Sequence, residues 1–167
     1  CDLSDLNSLD DLTEKVLKDH GHVDILINNA GRSIRRSLRL TYERFHDFER
    51  VMQINYFSAI RLTMNLLPSM VERKTGHVVN ISTIAAMSSG SPRFSSYTAS
   101  KSALDAWSNT AAFEYASDNI QFTNVHMPLV RTKMIAATTQ YQSVNVLTTE
   151  QAGKLVNSAL INRPAEV

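Results

Sequence analysis

Tyr97 and Lys101 are the two residues whose types and spacing point most directly to chemistry. They lie four residues apart in Ser-Ser-Tyr-Thr-Ala-Ser-Lys, at the start of a segment whose pattern predicts a helix. Positions i and i+4 share one helix face, so the lysine ammonium would lie beside the phenol and lower its pKa from about 10. Such a tyrosine could donate or accept a proton near neutral pH. An ordinary exposed helix pair has the same spacing, so other residues must decide between these interpretations.

Short apolar segments alternate with helical patterns along the chain. Apolar runs predict buried strands, and 3.6-residue periodicity predicts the helices between them. We predict strands over 23–27, 76–81 and 120–126. The first predicted helix is capped by Ser4 or Ser8 and ends at Gly21, and the second runs from Thr41 to about Val71 with a bend or end at Pro68. Two further helices are predicted over 96–116 and from Thr148 to Leu160. This order predicts an α/β fold with a Rossmann-like, doubly wound parallel sheet and three α/β/α layers.

The bulk composition excludes several classes of protein. The chain has 167 residues, enough for one domain, and its 17 Lys and Arg residues nearly balance 16 Asp and Glu residues, which gives no signal for nucleic acid. No apolar run reaches the roughly 20 residues of a membrane span. Cys1 is the single cysteine, which leaves no disulfide framework and no Cys/His metal cluster. We therefore predict a soluble, cytoplasmic protein without a metal site.

Polar motifs follow each predicted strand, at the sheet edge where ligands bind in this fold class. In order along the chain they resemble the motifs of the short-chain dehydrogenase/reductase family. The resemblance covers nearly the whole chain and rests on Asn28-Asn29-Ala30-Gly31, Asn55, Asn80-Ile81-Ser82-Thr83, Tyr97-x-x-x-Lys101 and the loop from Pro128 to Thr132. It implies an NAD(P)H-dependent oxidoreductase that transfers hydride to a carbonyl.

The resemblance implies a catalytic role for five residues. Tyr97 would be the acid, and Lys101 would lower its pKa and bind the nicotinamide ribose. Asn55 would hold a water in a proton relay, although a helix asparagine can also be satisfied by its own backbone. Thr83 stands at the family's hydroxyl position, with Ser82 as the competing candidate. Because strand neighbours point to opposite faces, only one of these two hydroxyls is expected to act.

The resemblance also implies the cofactor contacts. They are Asp2 and Leu3 at the adenine ring, Asn28, Ala30 and Gly31 beside its ribose, Tyr97 and Lys101 at the nicotinamide ribose, and Val130 and Thr132 at the carboxamide. Asn28 could instead only tie neighbouring strands together. Pro128 stands where the family usually has glycine. No glycine-rich phosphate loop occurs in the chain, so we interpret 1–167 as a single partial domain from a longer polypeptide, with the residue that selects NAD or NADP upstream.

Two further stretches, 30–37 and 127–138, are similar to the reductase domain of bacterial fatty acyl-CoA reductases. This resemblance implies NADPH rather than NADH as the donor and a long-chain acyl-CoA or fatty aldehyde as the acceptor. Since Cys1 is far in sequence from the motifs, we expect direct hydride transfer rather than a cysteine acyl-enzyme. Two alternatives remain open: a ketoreductase or secondary alcohol dehydrogenase, and a non-catalytic cofactor-binding protein. The family also implies a homo-oligomer.

Two other groups of residues could contact such a substrate. Arg32, Arg35, Arg36 and Arg39 form the densest basic cluster. They could bind coenzyme A phosphates or an acyl carrier protein, or they could form a solvated charged loop. Met87, Pro92, Phe94 and the segment from Met134 to Tyr141 could line an apolar acyl channel or simply fill the core.

Overall fold

The structure, a computed structural model, describes residues 1–88, 90–136, 138, 141 and 143–167. Its helices are α1 (Leu6–His20), α2 (Phe45–Met52), α3 (Ser58–Arg73), α4 (Ser95–Glu114), α5 (Lys133–Ala136) and α6 (Thr149–Asn162). Its strands are β1 (Ile25–Asn28), β2 (Gly76–Thr83) and β3 (Ile120–Met127). A π-helical turn, Gln53–Phe57, joins α2 to α3 without a break.

The three strands form one parallel sheet in the order β1-β2-β3. Each connection between neighbouring strands contains a helix, as parallel pairing requires. The predicted parallel sheet is therefore confirmed. The prediction that the first strand is buried is wrong, because β1 is an edge strand of this sheet and Ile25 and Ile27 are each 41% exposed.

Helices cover both faces of the sheet, and the alternation of side chains along β2 explains how. Val78 packs on one face with Phe122 of β3 and with residues of α3 and α4. Val79 points to the opposite face, where it packs with Val125 and with Ala159 of α6. Burial of each such side chain contributes roughly 1.5–3 kcal/mol. The doubly wound, three-layer prediction is thus confirmed.

The predicted helix ends are confirmed in part. Thr148 caps α6 in a capping box with Gln151, and Gly21 ends α1 at φ 78°. Asp5, not Ser4 or Ser8, caps α1 by accepting a hydrogen bond from a backbone N–H.

The predicted long second helix differs from the structure at both ends. Thr41 ends a short 3-10 turn, and α2 begins after Arg44. Pro68 lies inside α3, which continues to Arg73. The proline removes one backbone hydrogen bond, but Leu67 and Met70, both buried against the sheet, hold the helix on either side of it.

A chain of buried amides crosses the sheet from β1 to α4. The side-chain nitrogen of Asn28 donates to Asn80 at 2.8 Å, that of Asn80 to Asn124 at 3.3 Å, and that of Asn124 to Asn109 at 2.9 Å. The three strand residues are direct register partners. Asn80 and Asn124 are almost completely buried, so each amide depends on its neighbour for a partner. This amide chain fixes the strands side by side directly below the functional edge.

Candidate active site

A cavity of about 1060 Å³ opens at the carboxyl ends of β2 and β3. Thr83, Tyr97 and Lys101 contribute polar groups to its wall. Leu129, Ile135 and Val156 are among its apolar lining residues. The cavity therefore combines a small set of convergent polar groups with an apolar space, which is the usual composition of a small-molecule site.

Tyr97 lies in the first turns of α4, half-buried at the wall of this cavity. Burial raises the pKa of its phenol above the ordinary value, and a hydrogen-bonding interaction with the side chain of Thr83 offsets part of that rise. The net shift is therefore upward, opposite to the predicted lowering, because desolvation dominates; the effect of Lys101 on the phenol stays a prediction. The phenol is therefore protonated at neutral pH, which is the state that a proton donor requires.

Lys101 lies one helical turn after Tyr97 and is only 4% exposed. Its Nζ donates a hydrogen bond to the carbonyl oxygen of Ile81 at 2.6 Å. Burial lowers the pKa of this lysine to about 8, and the carboxylate of Asp105 acts in the opposite direction. A Cβ added to Gly31 would lie 3.6 Å from Nζ, so the loop after β1 closes over the lysine with a glycine at the point of contact.

Ser82 and Thr83 have different surroundings, as alternation along β2 predicts. The hydroxyl of Ser82 faces α4 and donates to Oδ2 of Asp105 at 2.9 Å. Both residues line the cavity, but Thr83 points the other way, and its side chain interacts with the phenol of Tyr97. Of the two candidate hydroxyls, the one beside the tyrosine is that of Thr83.

Asn55 lies in the π-helical turn and is 1% exposed. Its Oδ1 accepts the backbone N–H of Arg32 at 2.7 Å, and its Nδ2 donates to the carbonyl oxygen of Arg32 at 2.8 Å and to the hydroxyl of Ser100 at 2.9 Å. The side chain is thus satisfied by other segments, and not by its own helix backbone. It ties the loop after β1 to α4; its role in a water relay stays a prediction.

The predicted cofactor residues fall into three groups. Gly31, Val130 and Thr132 line the main cavity together with Tyr97 and Lys101. Asp2 lies at a neighbouring cavity of about 550 Å³ that Arg32 also lines. Within the described ranges, Leu3, Asn28 and Ala30 line neither cavity. The side chain of Asn28 belongs to the amide chain, as its alternative interpretation expected.

The residues at the main cavity fit the nicotinamide end of a dinucleotide. In the described part of the chain, the Lys101 ammonium makes one hydrogen bond, to Ile81, so two of its protons are available to a ligand. Gly31 leaves room beside it for a close approach. The segment at Val130 is held by backbone hydrogen bonds between Leu147 and its neighbours Leu129 and Arg131, each 2.9 Å long.

Several residues at the site were missed by sequence reasoning. Thr149, Ala152, Gly153 and Val156 of α6 line the cavity, whereas the sequence predicted only a helix for this segment. The pair of small residues at 152 and 153 was the available signal. Asp105 was also missed, although it follows Lys101 by one helical turn and shares its face.

Two properties of the described residues bear on other functions. No three His, Cys, Asp or Glu residues among them gather in a way that could hold a metal ion. No helix among them combines the length and apolar character needed to cross a membrane.

The chain belongs to the short chain dehydrogenase family, whose model matches residues 1–143. The fatty acyl-CoA reductase of Acinetobacter baylyi is 49% identical over 167 residues, which are 100% of this chain and 56% of that protein. A short-chain dehydrogenase from Streptomyces avermitilis has a TM-score of 0.88 at 29% identity, over 100% of this chain and 68% of that chain. A structure of ElxO with NADP bound has a TM-score of 0.83 at 25% identity, over 93% of this chain and 67% of that chain. The chain spans about half the length of the curated relatives it matches.

Proposed function

We propose that the full-length protein reduces a long-chain acyl-CoA or fatty aldehyde by hydride transfer from a nicotinamide cofactor. The proposal rests mainly on one observation: Tyr97, Thr83 and Lys101 line the same, largely apolar cavity. The 49% identity to a protein named as a fatty acyl-CoA reductase supports the choice of carbonyl. Family membership supports the reaction class.

The proposed mechanism assigns one task to each polar residue. The hydroxyl of Thr83 binds the carbonyl oxygen, and Tyr97 donates its proton to that oxygen as negative charge develops there. The buried ammonium of Lys101 stabilises the phenolate that Tyr97 leaves behind. The cofactor, when bound, supplies the hydride to the carbonyl carbon. With a thioester, the protonated adduct loses coenzyme A as the thiol and leaves the aldehyde.

NADPH is the donor that we propose, in preference to NADH. The support is the fold similarity to ElxO, which has been solved with NADP bound. In this chain, Lys101 and Tyr97 would hold the nicotinamide ribose, and the loop with Val130 and Thr132 would hold the carboxamide. The adenine end would lie near Asp2, at the neighbouring cavity.

The apolar part of the cavity would bind the acyl chain. Its wall includes Phe94, Met134 and Ile135, which the sequence suggested, and α6, which it did not. Met87 and Pro92 are not among the lining residues. Gly153 lies where α6 meets the cavity, and a Cβ at this position would have no neighbouring atom within 4 Å.

Gly153→Leu is therefore expected to shorten the acyl chain that the protein accepts. Leucine should fill the open space at α6 and should also favour the helix over glycine. We expect KM for a sixteen-carbon acyl-CoA to rise by about ten-fold relative to a six-carbon acyl-CoA. Asn157→Leu, at an exposed position of the same helix outside the cavity lining, is the control and should leave the ratio unchanged. An unaltered ratio of the two KM values in Gly153→Leu would mean that the acyl chain binds elsewhere.

The four arginines of the basic cluster do not act as one group. Arg32 lines the neighbouring cavity, Arg35 lines the main cavity, and Arg36 forms an ion pair of 3.4 Å with the buried Asp47. Arg39 lies exposed in a 3-10 turn. Its place in the lining of the main cavity supports Arg35 as the member of the cluster that binds a substrate phosphate.

Arg35→Glu is expected to weaken the binding of acyl-CoA but not that of a free aldehyde. The charge reversal opposes the phosphates of coenzyme A, so KM for acyl-CoA should rise about ten-fold at low salt and less at high salt. KM for the matching aldehyde should change less than two-fold. Arg39→Glu makes the same charge change outside the cavity and serves as the control. Equal effects of both variants would argue against a specific phosphate contact.

A substrate panel separates the proposed function from its alternatives. NADPH oxidation by the full-length protein would be followed with a long-chain acyl-CoA, the matching aldehyde and a simple ketone. We expect turnover of the acyl-CoA or the aldehyde. Turnover of the ketone alone would support a ketoreductase, and NADPH binding without turnover of any carbonyl would support a non-catalytic member.

A further inference from the structure

Between α4 and the ends of β2 and β3, three polar side chains form a buried cluster, of which Ser82 also lines the cavity. Ser82 of β2 and His126 of β3 are register partners and point to the same face of the sheet. Both contact the same atom, Oδ2 of Asp105 on α4: the serine hydroxyl at 2.9 Å and the histidine Nε2 at 3.1 Å. The side chains of His126 and Asp105 are 7% and 14% exposed. We call Ser82, Asp105 and His126 the carboxylate cluster.

The carboxylate cluster is connected to the proposed catalytic residues in two ways. Asp105 follows Lys101 by one turn of α4 on the same face. Ser82 lies between Thr83, which faces the phenol, and Ile81, whose carbonyl oxygen accepts the Lys101 ammonium at 2.6 Å. A bond between Ser82 and Asp105 therefore holds the end of β2 against the helix that carries Tyr97 and Lys101.

The charges around Lys101 give the carboxylate a second role. The titratable groups that face the lysine are Tyr97 and Asp105 on its own helix, with His126 of β3 behind the carboxylate. Asn55 and Gly31, which close over it from the other side, are neutral. Asp105 is thus the nearby negative charge that favours the ammonium in a buried position. Its Oδ1 has no hydrogen-bond partner among the described residues, so the carboxylate is only partly neutralised by its neighbours.

We propose that Asp105 is a positioning residue for the reaction. Its carboxylate contacts Ser82 and His126, keeps Lys101 charged and holds α4 against the end of β2. The proposal rests on the proposed function, in which the Lys101 ammonium stabilises the phenolate of Tyr97. Asp105 is not among the residues that line the cavity. Its effect is transmitted through Lys101 and through Ser82.

Asp105→Asn in the full-length protein tests the electrostatic part. Asparagine retains an acceptor for Ser82 but has no charge, so Lys101 should lose its proton at lower pH. We expect the alkaline limb of the kcat/KM profile for aldehyde reduction to move down by about one pH unit, with kcat/KM about five-fold lower at pH 8. Glu114→Gln removes a charge from the exposed end of the same helix and should leave the limb in place.

Ser82→Ala distinguishes the effect of the Asp105 charge from the effect of the hydrogen bond that joins Asp105 to β2. It removes one bond to Asp105 but leaves the carboxylate, so kcat should fall by a few fold without a shift of the alkaline limb. A purely structural role for Asp105 would give this same pattern in Asp105→Asn. If Asp105→Asn is unstable, Asp105→Ser removes the same charge with a smaller side chain and must move the limb in the same direction.

A second measurement does not depend on turnover. In protein labelled with ¹³Cε-lysine, the Lys101 resonance, assigned with Lys101→Arg, should titrate at lower pH in Asp105→Asn than in wild type. If the resonance shifts but no carbonyl is reduced, the proposed function fails while the link between Asp105 and Lys101 stands. If carbonyls are reduced and neither the resonance nor the alkaline limb moves, the inference about Asp105 is overturned.

Discussion

Tyr97→Phe is expected to lower kcat for carbonyl reduction by about 10²–10⁴-fold, because it removes the hydroxyl that donates the proton. Phenylalanine retains the ring, which contacts Phe94 edge to face at a centroid distance of 6.4 Å. The melting temperature should therefore change little, and the dissociation constant for NADPH should rise by no more than a few fold, because Lys101 still holds the ribose. Steady-state kinetics of the full-length protein with an acyl-CoA or aldehyde would measure the effect.

The matched control for this variant is Tyr42→Phe. Tyr42 is 84% exposed on the turn before α2 and lies outside the cavity lining. Loss of its hydroxyl should leave kcat unchanged. If Tyr97→Phe keeps more than a third of the wild-type kcat, another group donates the proton and the assignment of Tyr97 is wrong.

Asn80→Ala should give the largest loss of stability. Asn80 is at the centre of the buried amide chain, and alanine would remove three hydrogen bonds, those with Asn28, Asn124 and the hydroxyl of Ser108. Each unsatisfied buried group costs about 1–3 kcal/mol, so the free energy of unfolding should fall by about 3 kcal/mol or more. Urea denaturation of the full-length protein, followed by circular dichroism, would measure it.

Asn157→Ala provides the comparison for this second variant. Asn157 is exposed on α6, where a substitution should change the free energy of unfolding by no more than about 0.5 kcal/mol. Equal losses in the two variants would mean that the amide chain contributes no special stability. In that case register in this sheet would depend on the apolar contacts of Val78 and Val79 alone.

The order of helices and strands could be predicted from local patterns, because periodicity and chain connectivity both act over short distances. Alternation between apolar runs and amphipathic segments indicated the parallel sheet. The capping box at Thr148 and the glycine end of α1 are also local signals. Tyr97 and Lys101 could be found for the same reason, since one helical turn brings them to one face.

Several properties of the site and the fold could not be predicted from the sequence, because they depend on tertiary contacts. The pKa of Tyr97 is raised and not lowered because burial outweighs the hydrogen-bonding interaction with Thr83, and burial depends on segments far along the chain. Pro68 stays helical because the sheet holds its neighbours. The contact between His126 and Asp105 joins β3 to α4 across 21 residues. No periodicity encodes such a pairing, so this cluster emerged only from the structure.

The proposed function depends on direct hydride transfer to a carbonyl at the cavity of Tyr97 and Thr83. Label transfer from NADPH that carries deuterium at C4, with the two C4 diastereomers assayed separately, measures this step. For acyl-CoA, we expect one deuterium at C1 of the aldehyde from one diastereomer only, and loss of this product in Tyr97→Phe. Aldehyde formed without deuterium from either diastereomer, or with undiminished yield in Tyr97→Phe, would contradict this expectation.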